Sequence, residues 1–170
     1  SEFSFTYSKR RWYHFAIVRQ GTGSNQLKIY IDGTSIGSMT VSKSLSAGTT
    51  DVSIGEDLSG TNGEFKGYLS NIRIIKGTAL YTSNFTPPTE PLTNVTNTKL
   101  LCCQSTTSAT AATVAPGSIT AQGLARADLK NPFDAFMKDG IGYPTTSAAG
   151  ITEGTQPLSG ASINTKAGFS

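Results

Sequence analysis

The 170-residue chain has little of what most catalytic and metal centres are built from: one histidine, two cysteines and 15% charged residues. The cysteines are neighbours, Cys102 and Cys103. Adjacent residues on a strand point to opposite faces, so an ordinary disulfide between them would be strained. The plain reading is two small strand residues, one facing each side, in a reducing compartment. A single histidine speaks against a structural zinc site. There is no run of 18 apolar residues to span a membrane, and no charged-then-apolar signal segment opens the chain. There is also no initiator Met, and the first residues already alternate as a strand does, so the chain reads as a piece of a longer polypeptide. Apolar residues are 36% of the total, below the usual globular share. The net charge of +3 comes from scattered side chains. Lys9-Arg10-Arg11 is the one basic cluster and reads as a solvated strand end, so neither nucleic acid nor membrane is expected as a partner.

What is present is unevenly placed. Residues 1–104 hold eleven of the fifteen aromatic residues. This part reads as all-β. Phe3, Phe5 and Tyr7 share one face of a first strand. Trp12 to Gln20 is apolar on both faces, which predicts a strand inside a sheet rather than at its edge. Leu27, Ile29 and Ile31 alternate with polar residues in a third strand, and Asp32-Gly33 signals a tight hairpin into Ser35–Val41. Val52–Gly55 and Lys99–Gln104 read as further strands. Gly67 to Pro88 predicts a buried strand, a turn, one short helical turn and a Pro stop. Seven or so short strands between Gly-rich turns indicate a sandwich. From Ser105 on, 37 of 66 residues are Ser, Thr, Ala or Gly, too few apolar groups to offset the entropy of ordering. A short helix is predicted at about 131–139, with Asn131 as cap, Pro132 at the first position and Gly140 at the stop. Phe133, Phe136 and Met137 share its apolar face and must dock on the sandwich, a neighbouring subunit or a following domain.

Four linked stretches carry a resemblance: Trp12–Arg19, Leu27–Gly33, Val52–Gly55 and Phe65–Arg73. Together they resemble the concanavalin A-like, laminin-G-type antiparallel jelly roll over residues 1–104, with the family's front strands absent and 105–170 a low-complexity connector. The run Lys76-Gly77-Thr78-Ala79-Leu80-Tyr81-Thr82-Ser83-Asn84-Phe85-Thr86-Pro87-Pro88, continuing to Leu100-Leu101-Cys102-Cys103-Gln104, is similar to a domain repeated in virion proteins of tailed phages, of the cyanophage type in particular. That resemblance implies a tail fibre or similar adhesin on the particle exterior. Its implied partners are other virion subunits, a homo-oligomer with a trimer favoured, and host-surface glycan. Without front strands, Leu100, Leu101 and the inner face of Trp12–Arg19 are expected to lack partners and expose apolar surface.

Enzymatic chemistry finds little support in the residues. The glucanases of the same superfold resemble a strand bearing Glu-x-Asp-x-Glu, with carboxylates aligned on one face. Here Glu56 and Asp57 are adjacent and diverge if extended, and an apolar run separates Asp51 from Glu56. His14 reads as a hydrogen-bonded core residue and Trp12 as core rather than a sugar-stacking platform. No Gly-x-Ser-x-Gly or Walker-type loop occurs. Binding is the better expectation, because loops on a stiff sandwich can vary. The candidate loops are Gly21–Asn25 and Glu56–Glu64. In the second, Asp57, Asn62 and Glu64 offer oxygens to sugar hydroxyls or to calcium, with an ordinary hydrated loop as the plainer alternative. No catalytic residue and no cofactor beyond that calcium is expected.

Overall fold

The computed structural model describes residues 3–43, 52–55 and 65–133. These fall into two units: the first contains residues up to Ser8 and from Tyr13 to Asp128, the second Lys9–Trp12 and the residues from Leu129 on. The first unit is all-β. Its six strands are β1 (Phe15–Arg19), β2 (Leu27–Ile31), β3 (Thr34–Met39), β4 (Ile72–Ile75), β5 (Thr98–Cys102) and β6 (Ala112–Val114). They form two antiparallel three-stranded sheets, β1-β2-β3 and β4-β5-β6. Two antiparallel sheets with no helix among the described residues agree with the sandwich class expected, as a partial domain.

The hairpin between β2 and β3 forms where Asp32-Gly33 predicts it. Both residues have positive φ, 48° and 77°, the combination a type I′ turn requires. In this sheet Ile29 pairs with Gly37 and Tyr30 with Ser35, which leaves Ile36 over as a bulge. The core gathers on the inner strands. Tyr30 and Leu101 are fully buried, with Ile31, Leu100 and Cys102 close to it. Full burial of an aliphatic side chain such as Leu101 contributes roughly 1.5–3 kcal/mol.

Several expectations are corrected. Residues 3–7 form no strand; instead the Phe3 ring lies against Gly37, and Phe5 meets Tyr13 edge-on at 5.7 Å. Among the described residues β1 is an edge strand, not an inner one, and Phe15 and Ile17 are more than half exposed. Apolarity on both faces predicted two covered faces, and the described residues cover only the one bearing Ala16 and Val18. The exposure foreseen for Leu100 and Leu101 is absent: both are buried, on the middle strand of their sheet. Val52–Gly55 bends rather than pairing as a strand. Residues 76–83 contain no helical turn. Trp12 is half-buried and belongs to the second unit.

The Ser/Thr/Ala-rich segment after residue 104 contributes β6. Leu101 pairs with Val114 and Cys102 with Ala112. Backbone pairing to a buried strand orders this segment, although its side chains bury little. The second unit is described at residues 9–12 and 129–133. There Asn131 Oδ1 accepts the Phe133 N–H at 2.9 Å, the bond a capping asparagine makes. Phe133 is half-buried, and residues 134–139 of the expected helix, with Phe136 and Met137, lie outside the described residues.

Candidate functional site

The loop at residues 21–25 joins β1 to β2 and is held at its base. The Gln20 N–H donates to the Gln26 carbonyl at 2.8 Å, and the Asn25 N–H donates to Thr40 Oγ1 at 3.0 Å. Asn25 takes a φ of 55°, which asparagine tolerates better than most residues. Arg19, the last residue of β1, is the main anchor. Its guanidinium donates to the Gly21 carbonyl at 3.1 Å and to those of Val41 and Lys43, each at 2.8 Å. One side chain thereby ties the loop to the chain leaving β3. Thr22, Gly23, Ser24 and Asn25 are exposed. The result is a short polar loop on a braced base, able to offer hydroxyl, amide and backbone groups to a hydroxyl-rich ligand.

The second candidate loop, 56–64, lies outside the described residues, and with it Asp57, Asn62 and Glu64. Its bracketing residues are described. The Phe65 N–H donates to the Gly55 carbonyl at 2.7 Å, so the two ends of the loop are joined. Gly55 has a φ of 86°, a conformation its missing Cβ permits. Among the described residues no group of three or more His, Cys, Asp or Glu is arranged to hold a metal ion.

A clasp formed by residues 81–85 braces the hairpin turn of the first sheet. The Phe85 N–H donates to the Gly33 carbonyl at 2.9 Å, and the Ser35 N–H donates to Asn84 Oδ1 at 3.0 Å. Lys28 Nζ donates to the Thr82 carbonyl at 2.9 Å. Tyr81 and Phe85 stack at 3.7 Å, and Tyr30 meets the Phe85 ring edge-on at 5.5 Å. His14 meets the same two rings edge-on, at 6.1 Å from Tyr81 and 5.4 Å from Phe85. Its backbone exchanges two 2.8 Å hydrogen bonds with Asp32, one to the carboxylate and one from the amide. On the ring, Nδ1 is buried without a hydrogen-bond partner, as is the Tyr30 hydroxyl. Burial holds the imidazole below its ordinary pKa, opposed by the Asp32 charge and reinforced by Arg73.

Polar side chains missed in the sequence tie the second sheet to its loops. Asn71, at a φ of 56°, donates its N–H to the Cys103 carbonyl at 2.9 Å. Its Oδ1 accepts from the Leu92 N–H and from Gln104 Nε2. Gln104 Nε2 also donates to the Leu92 carbonyl, and its Oε1 accepts from Thr113 Oγ1. An open groove of about 290 Å³ lies alongside, lined by Gln104, Ser105, Ala111, Ala112 and Thr113. A polar residue directly before an apolar strand is the signal that could have marked Asn71.

Comparison with known proteins agrees with this architecture. Residues 3–81, somewhat under half of the chain, match the laminin-G-type family model of the concanavalin A-like lectin/glucanases superfamily. Domains of this kind often bind carbohydrate, and the superfamily includes glycosidases as well as lectins. No curated protein and no solved structure matches the chain.

Proposed function

We propose that this chain is a non-enzymatic, glycan-binding module of a phage virion protein, carried on a tail fibre or similar appendage at the particle exterior. The observation that carries the carbohydrate part is the match of residues 3–81 to the lectin/glucanase superfamily, joined to a braced, exposed polar loop at 21–25. Support for the virion part is the resemblance of Lys76–Pro88 and Leu100–Gln104 to the repeated domain of tailed-phage proteins. Recognition on this reading is by hydroxyl-rich ligand against loop amides and hydroxyls and the side-chain oxygens of Asp57, Asn62 and Glu64. Calcium is the cofactor those oxygens would take. Assembly with other virion subunits, as a homo-oligomer for which we favour a trimer, raises weak single-site affinity by multivalency.

The test is binding of the intact protein to host-cell polysaccharide on a glycan array, with and without chelator. The expected result is binding that falls at least about tenfold in the combined variant Asp57→Ala, Asn62→Ala, Glu64→Ala. Unchanged binding in that variant and in Thr22→Ala, Ser24→Ala, Asn25→Ala would overturn the assignment to these loops. A second reading, a purely structural fibre spacer or capsid decoration, draws on the 81–85 clasp: the phage-like run is spent on bracing the hairpin. Particles that fail to assemble without the protein, with no glycan bound at all, would favour that reading. Polysaccharide breakdown by the intact protein would instead indicate a hydrolase.

A further inference from the structure

Cys102 and Cys103 do not face opposite sides of the sheet as strand alternation predicts. Cys102 is the last residue of β5 and is buried, while Cys103 leaves the strand with a φ of 60°. That left-handed residue breaks the alternation and brings the two sulfurs within 3.7 Å of each other. The arrangement is held on both sides by backbone. Cys102 is paired with Ile72 and Ala112, and the Cys103 carbonyl accepts the Asn71 N–H. Cys103 is half-exposed and offers the way in.

We propose that Cys102 and Cys103 form a dithiol site that chelates a soft, thiophilic centre through two sulfur bonds. Spacing selects this over a disulfide. Adjacent α-carbons ~3.8 Å apart are closer than disulfides prefer. Two bonds of ~2.3 Å from one centre, meeting near the tetrahedral angle, span about 3.8 Å, which is the spacing the sulfurs already have. The charge state suits capture. A hydrogen bond from the Cys102 thiol, working against burial, lowers Cys103 to a pKa of about 7, while that bond and burial raise Cys102. Thiolate at Cys103 therefore binds first and Cys102 closes the ring. With a trivalent organoarsenical bearing two hydroxyls, two arsenic–sulfur bonds form and two arsenic–oxygen bonds break. Each thiol proton leaves with a hydroxide as water, and no atom changes oxidation state.

The probe is phenylarsine oxide, added to the reduced intact protein and followed by intact mass and by titration of the remaining thiols. The expected result is one arsenical per chain with both thiols lost. It should resist a monothiol competitor and be released by a dithiol. Cys103→Ser and Cys103→Gly should hold it at least about 100-fold more weakly, the loss of a chelate. Glycine suits the positive φ at that position, so Cys103→Gly separates loss of the sulfur from loss of the fold, and a thermal melt of each variant confirms it. Equal retention by wild type and both Cys103 variants would overturn the proposal, as would release of the arsenical from wild type by the monothiol. Glycan binding plays no part in this readout.

Discussion

Replacing Gly33 with alanine should damage the protein more than its single methyl group suggests. Gly33 sits in the hairpin turn at a φ of 77°, where an L-residue costs about 1–2 kcal/mol. A Cβ there would run into the Phe85 carbonyl oxygen and come within 3.2 Å of Pro87 Cδ. Those are backbone and ring atoms that cannot swing aside. Relief requires the 81–87 segment to lift, which breaks the bond from the Phe85 N–H to the Gly33 carbonyl, worth about 0.5–1.5 kcal/mol. The sum is about 1.5–3.5 kcal/mol, or a fall of roughly 5–15 °C in melting temperature for a domain of this size. Gly37→Ala is the control. Its Cβ would lie 2.5 Å from the Phe3 ring, but that ring sits on an unpaired arm and can rotate away. Alanine in a strand also recovers about 0.5–1 kcal/mol of glycine's entropic cost, so the control should be near neutral. Gly33→Asn adds a discriminating case: asparagine tolerates the left-handed region but keeps the clashing Cβ. Urea unfolding of the intact proteins, with midpoint and slope fitted together, reads all three. A Gly33→Ala loss below about 1 kcal/mol, or losses equal at the two glycines, would refute the clasp.

Two further outcomes concern Arg19 and His14. Arg19→Lys keeps the charge but can satisfy at most part of the three carbonyls that Arg19 now holds, so amide exchange at residues 21–25 and 41–43 should quicken while β2 stays protected; unchanged exchange would deny Arg19 its anchoring role. His14, the sole histidine, is held below 6.5 by burial, so the folded state prefers the neutral ring. Stability from this group is complete above pH 6.5 and lost as pH falls through the lower folded value. His14→Gln should flatten that part of the pH–stability curve, and an NMR titration of the imidazole at or above 6.5 would contradict the sign.

Local patterns were legible where side-chain chemistry and backbone demand coincide. Asp32-Gly33 specified its turn because few residues accept two consecutive positive φ values. Leu27–Ile31 and Thr98–Cys102 announced themselves by β-rich composition, and the class of fold followed from their number and spacing. Pairing was less visible. Nothing in Ala112-Thr113-Val114 distinguishes it from the polar tract around it; it is a strand because β5 offers it a row of backbone groups. The apolar run Trp12–Gln20 overstated burial, since composition reports what a strand can bury and not which neighbours stand beside it. At Cys103 a single left-handed residue overturned the expected alternation, a backbone event with no compositional signature. For the binding residues, Gly21–Asn25 was readable as a loop, but its brace was not: Arg19 looked like any strand-end cation, and its partners at Val41 and Lys43 are more than twenty residues away.

Amide hydrogen exchange on the intact protein tests most directly the two paired sheets and the clasp that residues 81–85 close on the hairpin of the first. Slow exchange is predicted at the hydrogen-bonded amides of β2 and β5, at Phe85 and Asn71, and in β6, with fast exchange at Thr22–Ser24. Rapid exchange at both Phe85 and residues 112–114, at the rate of the free loop, would contradict that arrangement.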